Sequence, residues 1–359
     1  MGLQLAAPPD CDAVVVVSFG GPEGPEEVVP FLRNVTRGRD VPTGRLEEAA
    51  EHYLARGGRS PINDQNRALV AALEPRLRDA AVELPVYWGN RNWHPLLADT
   101  VAAMRADGVR RALAFVTSAF GSYSGCRQYR EDIARAVAGS GGEPEIHKLR
   151  LYWNHPGFIE PMAEGARGAL SGLESAGATG PARLVFCAHS IPTAMAAGAP
   201  YERQLREAAA LIAERVPQRS EAGGARRWDL VYQSRSGPPQ VPWLEPDVAD
   251  HLEALQREGV DDVVLVPLGF VSDHMEVIHD LDDEAAGAAA ALGMRLARSP
   301  TVGTHPDFVD MIVELIRERL DPRTPRRALG SSGPWPEPCA ATCCTAPDPA
   351  ATPGNPATR

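Results

Sequence analysis

Six short apolar runs recur along the chain: AVVVVSFGG from Ala13, LPVYWGN from Leu84, RALAFVTSAFG from Arg111, RLVFCAHS from Arg183, WDLVYQS from Trp228 and DVVLVPLGF from Asp262. Each is near-continuous rather than alternating, ends in small or polar residues, and leads into a stretch with helical character. Buried strands that alternate with helices predict βαβ units and parallel sheets. The pattern also repeats. VYWGNRNW runs through the helix-like TVAAMRADGVRR to the strand ALAFV, and later VYQSRSG runs through PWLEPDVADHLEALQREGVDD to VVLVP. The prediction is an α/β chain of two similar doubly wound domains of flavodoxin or Rossmann type, over residues 1–165 and 166–325. The last helix-like segment, HPDFVDMIVELIRERL, is followed by a tail at 326–359 rich in Pro, Gly, Ser, Thr and Ala, a composition expected to form no domain of its own.

A length of 359 residues agrees with two cores, since single cores rarely grow past about 250–300 residues. Hydrophobic residues at 44% and charged residues at 23% are globular values, and no apolar run reaches the ~18 residues of a membrane span. The opening MGLQLAAPPDCDAVVVV has no basic stretch before its apolar run, so no secretion signal is expected and the cytoplasm is the expected location. A net charge of −11, without any Lys/Arg cluster interleaved with aromatics, argues against a nucleic-acid partner. Six cysteines are too few for a disulfide scaffold, yet three of them, Cys339, Cys343 and Cys344, fall within CAATCC.

In doubly wound sheets ligands bind beyond the carboxyl ends of the strands. His189 stands at such an end, in CAHSIP. It reads equally as a structurally hydrogen-bonded histidine or as a base and metal ligand working near pH 7. Glu276 follows another strand, in VSDHMEVIHDLDDE. If that segment is an α-helix, Glu276, Asp280, Asp283 and Glu284 share one face, either a solvated acidic stripe or a row of cation ligands. Asp273 and His274 could cap that helix or belong to the site. FGGPEG resembles a phosphate loop but lacks the GxGxxG pattern and a following Lys-Ser/Thr, and neither HExxH nor GxSxG is present. One imidazole with several carboxylates suits a divalent metal and proton transfer.

The segments SFGGPEGPEEV, GGRSPIN, YWGNRNW, TSAFGSYSGCRQY, FCAHSIP, YQSRSGPPQVPWLEPD and PLGFVSDHMEVIHDLD, taken together and in order, resemble the ferrochelatase family, most of all its actinobacterial type. The resemblance implies a lyase of haem biosynthesis that inserts Fe2+ into a porphyrin held in a cleft between the two domains. It implies that His189 and Glu276 are catalytic and contact the metal, with Asp280 and Glu284 further along the metal path. Ser60 and Tyr129 fall on the family's porphyrin-contacting positions. Coproporphyrin III, giving Fe-coproporphyrin III (coproheme), is the implied substrate. The alternatives are protoporphyrin IX, a cobalt or nickel chelatase of the same fold, and a non-catalytic porphyrin carrier. Two departures stand out. Phe19 occupies a position where some bacterial relatives have an iron-ligating Tyr, and the family's Arg-Tyr pair before GGxSP reads His52-Tyr53. Arg37 is a candidate partner for a propionate.

The resemblance further implies a 2Fe-2S cluster held by the tail cysteines Cys339, Cys343 and Cys344 with Cys126 of SGCRQY as the fourth ligand. Cys187 lies inside a strand-like run and reads as a buried, inert thiol; structural zinc or free thiols are the other readings of the tail. The expected partners are coproporphyrin III and Fe2+, with the chain a monomer that touches the next haem-pathway enzyme transiently.

Overall fold

The computed structural model describes residues 11–38, 41, 43–178, 180–217, 226–237, 240–340 and 342–346. All six apolar runs are strands. β1 (Ala13–Ser18), β2 (Val86–Asn90), β3 (Arg111–Val116) and β4 (Glu145–Lys148) form one parallel sheet in the order β2-β1-β3-β4. β5 (Arg183–His189), β6 (Trp228–Gln233), β7 (Asp262–Val266) and β8 (Arg295–Arg298) form a second, in the matching order β6-β5-β7-β8. Every residue of β1 and β7 is buried, because helices cover both faces. The edge strands β4 and β8 escape a sequence reading, since EIHK and RLAR are short and half charged.

Helices α1 (Pro25–Val35), α2 (Thr43–Ala55) and α3 (Ile62–Asp79) join β1 to β2. α4 (Leu97–Ala106) follows β2, and α5 (Gln128–Gly139) follows β3 after a π-helical turn at Tyr123–Arg127. α6 (Pro156–Ser175) leads to the second sheet, where α7 (Thr193–Ala197) and α8 (Tyr201–Ala213) follow β5 and α9 (Val248–Arg257) follows β6. After β7 come the short α10 (Met275–Val277), a π-helix at Ile278–Ala285 and α11 (Ala286–Ala291); α12 (Pro306–Leu320) follows β8.

The two halves exchange helices. α6 packs on β7 and β8 of the second sheet, while α12 returns to pack on α3 of the first half. Phe308 of α12 sits edge-on to Phe115 of β3, centroids 6.1 Å apart, and to Tyr152 at 6.0 Å. One apolar core therefore runs through both sheets, and the expected division at residue 165 falls inside α6. The hairpin of α1 and α2 stands apart on a small core of its own, built on Val28, Phe31, Leu32 and Ala50.

The tail is anchored to the body as far as Cys344, which is only 2% exposed. Leu329 donates its N–H to the Asn154 carbonyl at 2.8 Å, and Asn154 Nδ2 donates to Gly333 at 2.8 Å. The Arg150 backbone N–H donates to Glu337 at 3.0 Å, and its guanidinium forks onto Glu318 at 2.7 and 2.8 Å with both side chains buried. Between 326 and 346 the described residues form neither helix nor strand, so polar anchors rather than regular structure hold this segment.

Candidate active site

β5 carries His189 to its carboxyl end, beside the switch point where β5 and β7 neighbour each other. Tyr201 Oη donates to the His189 carbonyl at 3.0 Å and fixes the backbone. His189 Nδ1 lies 2.5 Å from the Ser190 carbonyl, which can only accept, so Nδ1 carries a proton and donates it there. Nε2 is 3.7 Å from Glu276 Oε2. Glu276 is held by α10, whose other two residues, Met275 and Val277, are buried anchors while the carboxylate stays half exposed. Tyr53 of α2 faces the pair from the other half: burial, then the Glu276 charge, pushes its phenol well up. His274 is pushed down by burial, with the nearby charges of Glu276 and His189 acting in opposite directions. Asp273 is taken up by Arg298 at 3.1 Å, so of the two residues flanking the strand end only His274 faces the pair.

The acidic row differs from the expected α-helical stripe. Ile278–Ala285 is a π-helix, with partners spaced five apart rather than four. Asp280 stays beside the inner pair, accepting from Ser234 Oγ and from Gln233 Nε2 at 3.2 Å. Burial pushes its carboxyl up to about 6, opposed by the Ser234 hydrogen bond and helped by the charges of Glu276 and Glu284. Asp283 leaves the row and binds Arg56 of α2 across the cleft. In its place comes His279, 3.4 Å from Glu284 through Nε2 and stacked on His52 of α2 at 3.8 Å. The sequence reading missed His279 because an i, i+5 neighbour has no place in a 3.6-residue period. His52 had a signal, as a departure from the family pattern.

The family model described as Ferrochelatase matches residues 11–320. This chain belongs to the ferrochelatase family. It is 56% identical over 344 residues to the coproporphyrin III ferrochelatase of Frankia alni, covering 94% of this chain and 87% of the relative. The coproporphyrin III ferrochelatase of Nocardia farcinica is 55% identical, covering 93% and 96%, and a ferrochelatase of Rhodopirellula baltica is 52% identical, covering 94% of each. Among solved structures the chain is similar to SirB from Bacillus subtilis with Fe3+, at a TM-score of 0.50 and 14% identity, covering 86% of this chain and 95% of that one. That likeness speaks for the fold.

In this ferrochelatase-family chain the remaining predicted site residues lie in or against the first half. Ser60 is buried against Gly21, where an added Cβ would meet the Ser60 Cβ at 2.7 Å, and its N–H donates to the Pro22 carbonyl at 2.9 Å. Tyr129 is buried under the Arg91 guanidinium, 4.3 Å from the ring centroid, and Arg91 is paired with Asp132. Both side chains are closed over by these contacts. Of the four predicted cluster cysteines, Cys126, Cys339 and Cys343 all lie near enough to act on the Cys344 thiol. Cys126 is buried in the π-helical turn that Ser122 caps, and Cys343 Sγ is 3.5 Å from Cys344 Sγ. Burial pushes the Cys344 thiol far up, reinforced by Cys343, Cys126 and Cys339, and burial with Cys343 does the same to Cys339. Cys187 lies apart, fully buried in β5, with its Sγ 3.1 Å from Gln233 Oε1, and reads as an inert thiol. None of the six cysteines is in a disulfide.

Proposed function

We propose that this chain is a lyase that inserts Fe2+ into coproporphyrin III, releasing two protons and giving coproheme. One observation carries the reading: an imidazole whose Nδ1–H is given to the Ser190 carbonyl turns its Nε2 toward a half-exposed carboxylate at a sheet's switch point. His189 accepts a pyrrole proton at Nε2, and Glu276 beside it stabilises the imidazolium that forms. Asp280 comes next in the row and is the group set to exchange protons near pH 6. Tyr53 and Phe19, the latter 37% exposed and edge-on to Phe31, supply apolar surface from the first half for the macrocycle. With Phe19 in that place, the first strand-end loop offers iron no phenolate.

The substrate assignment is supported by the Frankia and Nocardia relatives, both named coproporphyrin III ferrochelatases. Comparing turnover of coproporphyrin III and protoporphyrin IX tests it: preference for the four-carboxylate ring is expected, and preference for protoporphyrin IX would overturn it. Porphyrin binding without loss of fluorescence on adding Fe2+ would instead favour a carrier. No helix among the described residues is long and apolar enough to cross a membrane, in keeping with a cytoplasmic enzyme working on a soluble ring.

The cysteine quartet fits a 2Fe-2S cluster. Burial, with the neighbouring thiols adding to it, raises the pKa of Cys344 and Cys339, and iron would offset the charge of their thiolates. Cys126, Cys339, Cys343 and Cys344 would hold it, and when bound it would supply a one-electron centre and a cross-link between tail and body. Visible absorption bleached by dithionite is expected in purified protein, and a colourless, iron-free preparation made anaerobically would sink the assignment.

A further inference from the structure

Two thiols of the tail carry chemistry that neither metal insertion nor proton transfer uses. Cys343 and Cys344 are neighbours in sequence, and their Sγ atoms are 3.5 Å apart. Neighbouring side chains on extended backbone point to opposite sides, so the contact comes from the turn that carries them. The Cys343 N–H donates to the Ala340 carbonyl at 2.9 Å, and Cys344 has φ +52°, in the left-handed region that residues with a side chain rarely adopt. Such a conformation persists only where its surroundings hold it, and here Cys344 is buried while Cys343 stays partly exposed. Two of the other thiols are turned elsewhere: Cys339 Sγ donates to the Pro336 carbonyl at 3.6 Å and Cys187 Sγ to Gln233 Oε1 at 3.1 Å.

We infer that Cys343 and Cys344 form an oxidation site, at which a hydroperoxide closes a disulfide between the two neighbours when the chain holds no cluster. The Cys343 thiolate, the accessible one, attacks the peroxide O–O bond, takes one oxygen as a sulfenic acid and releases hydroxide. The Cys344 sulfur then attacks the Cys343 sulfur; the S–S bond forms, and the hydroxyl leaves with the Cys344 proton as water. Two electrons pass from the sulfur pair to the peroxide. Adjacent Cα atoms are about 3.8 Å apart, below the roughly 4.4–6.8 Å of ordinary disulfides, so the bond is strained and readily reduced by a dithiol. The modification is therefore reversible. Because it consumes Cys343 and Cys344, both proposed iron ligands, disulfide and cluster exclude each other. That consequence rests on the cluster reading; the disulfide does not. The polar anchors of the tail at Leu329, Gly333 and Glu337 precede the pair, so oxidation leaves the tail docked.

The test uses the full chain, stripped of metal by a chelator, reduced, freed of reductant and exposed to an equimolar amount of hydrogen peroxide. After denaturation, N-ethylmaleimide is expected to label four of the six cysteines, where all six are labelled before peroxide. The peptide that contains Cys343 and Cys344 is expected to be two hydrogens lighter and unlabelled, and dithiothreitol to restore both labels. In Cys344→Ser, dimedone is expected to trap a sulfenic acid at Cys343, whereas in Cys343→Ser it is expected to leave Cys344 unmodified. Six labels after peroxide, a disulfide made by Cys126 or Cys339, a link between two chains, or a dimedone adduct on Cys344 would each overturn the proposal. Reconstitution with Fe2+ and sulfide separates the two readings. Visible absorption that returns only after dithiothreitol is expected, and absorption in the still-oxidised chain would overturn the exclusion. Absorption in neither form would remove the cluster reading and leave the disulfide standing.

Discussion

At the scale of single residues, the site is set by which proton each group carries. Replacing His189 by Ala is expected to lower kcat by about 100- to 10,000-fold, the usual worth of a general base, while fluorescence titration shows porphyrin still bound; normal turnover would exclude the role. Asp280 supplies a pH dependence. Its folded-state pKa of about 6 lies above the ordinary 3.8, so the native state binds the extra proton between those values and this group's contribution to stability falls as pH rises through the window. Asp280→Asn is thus expected to raise Tm at pH 7.5 and to leave it unchanged below pH 4, as melting curves at the two pH values would show. The placement of His189 and Glu276 after strands was legible in the sequence because apolar runs mark those strands, while their roles and that of Asp280 rest on the family resemblance. His279 was not, since only the π-helical backbone sets it beside Glu284. The burial of Ser60 and Tyr129 was also hidden, because it depends on Gly21 and Arg91, which neighbour them in space and not in sequence.

Among the elements, the α1–α2 hairpin is the one least tied to the rest. Its packing is on its own small core, and its reach to the second half is through His52, Tyr53 and Arg56. The return from α2 depends on Gly58, which has φ +73° and where an added Cβ would meet the Pro25 Cα at 2.4 Å. Gly58→Ala is expected to cost about 1–3 kcal/mol, and faster hydrogen exchange in α1 and α2 than in the sheets would locate the effect. The strands and the repeat could be read from apolar runs because buried parallel strands need them. β4 and β8 could not, as each is an edge strand of only four residues, two of them charged. The anchored tail was illegible for another reason: its contacts are polar and long-range, from Arg150, Asn154 and Glu207 to residues beyond 325.

For the molecule as a whole, the tail and the exchanged helices make the two halves one body. Arg150→Ala is expected to destabilise the chain by about 3–5 kcal/mol, because it leaves the buried Glu318 carboxylate short of its partner; a change in Tm within error would show that Arg326, 3.6 Å from Glu318, takes over. The helix exchange has a consequence for how the protein is made. Phe115 and Tyr152 in the first half are covered by Phe308, which is synthesised some 150 residues after Tyr152. During translation the first sheet leaves the ribosome with that part of its face uncovered, and α3 and Phe158 of α6 cover it only in part until α12 emerges. A nascent chain stalled before Pro306 is then the form expected to bind chaperones and to be cut by proteases, and release of α12 closes the core that the two sheets share.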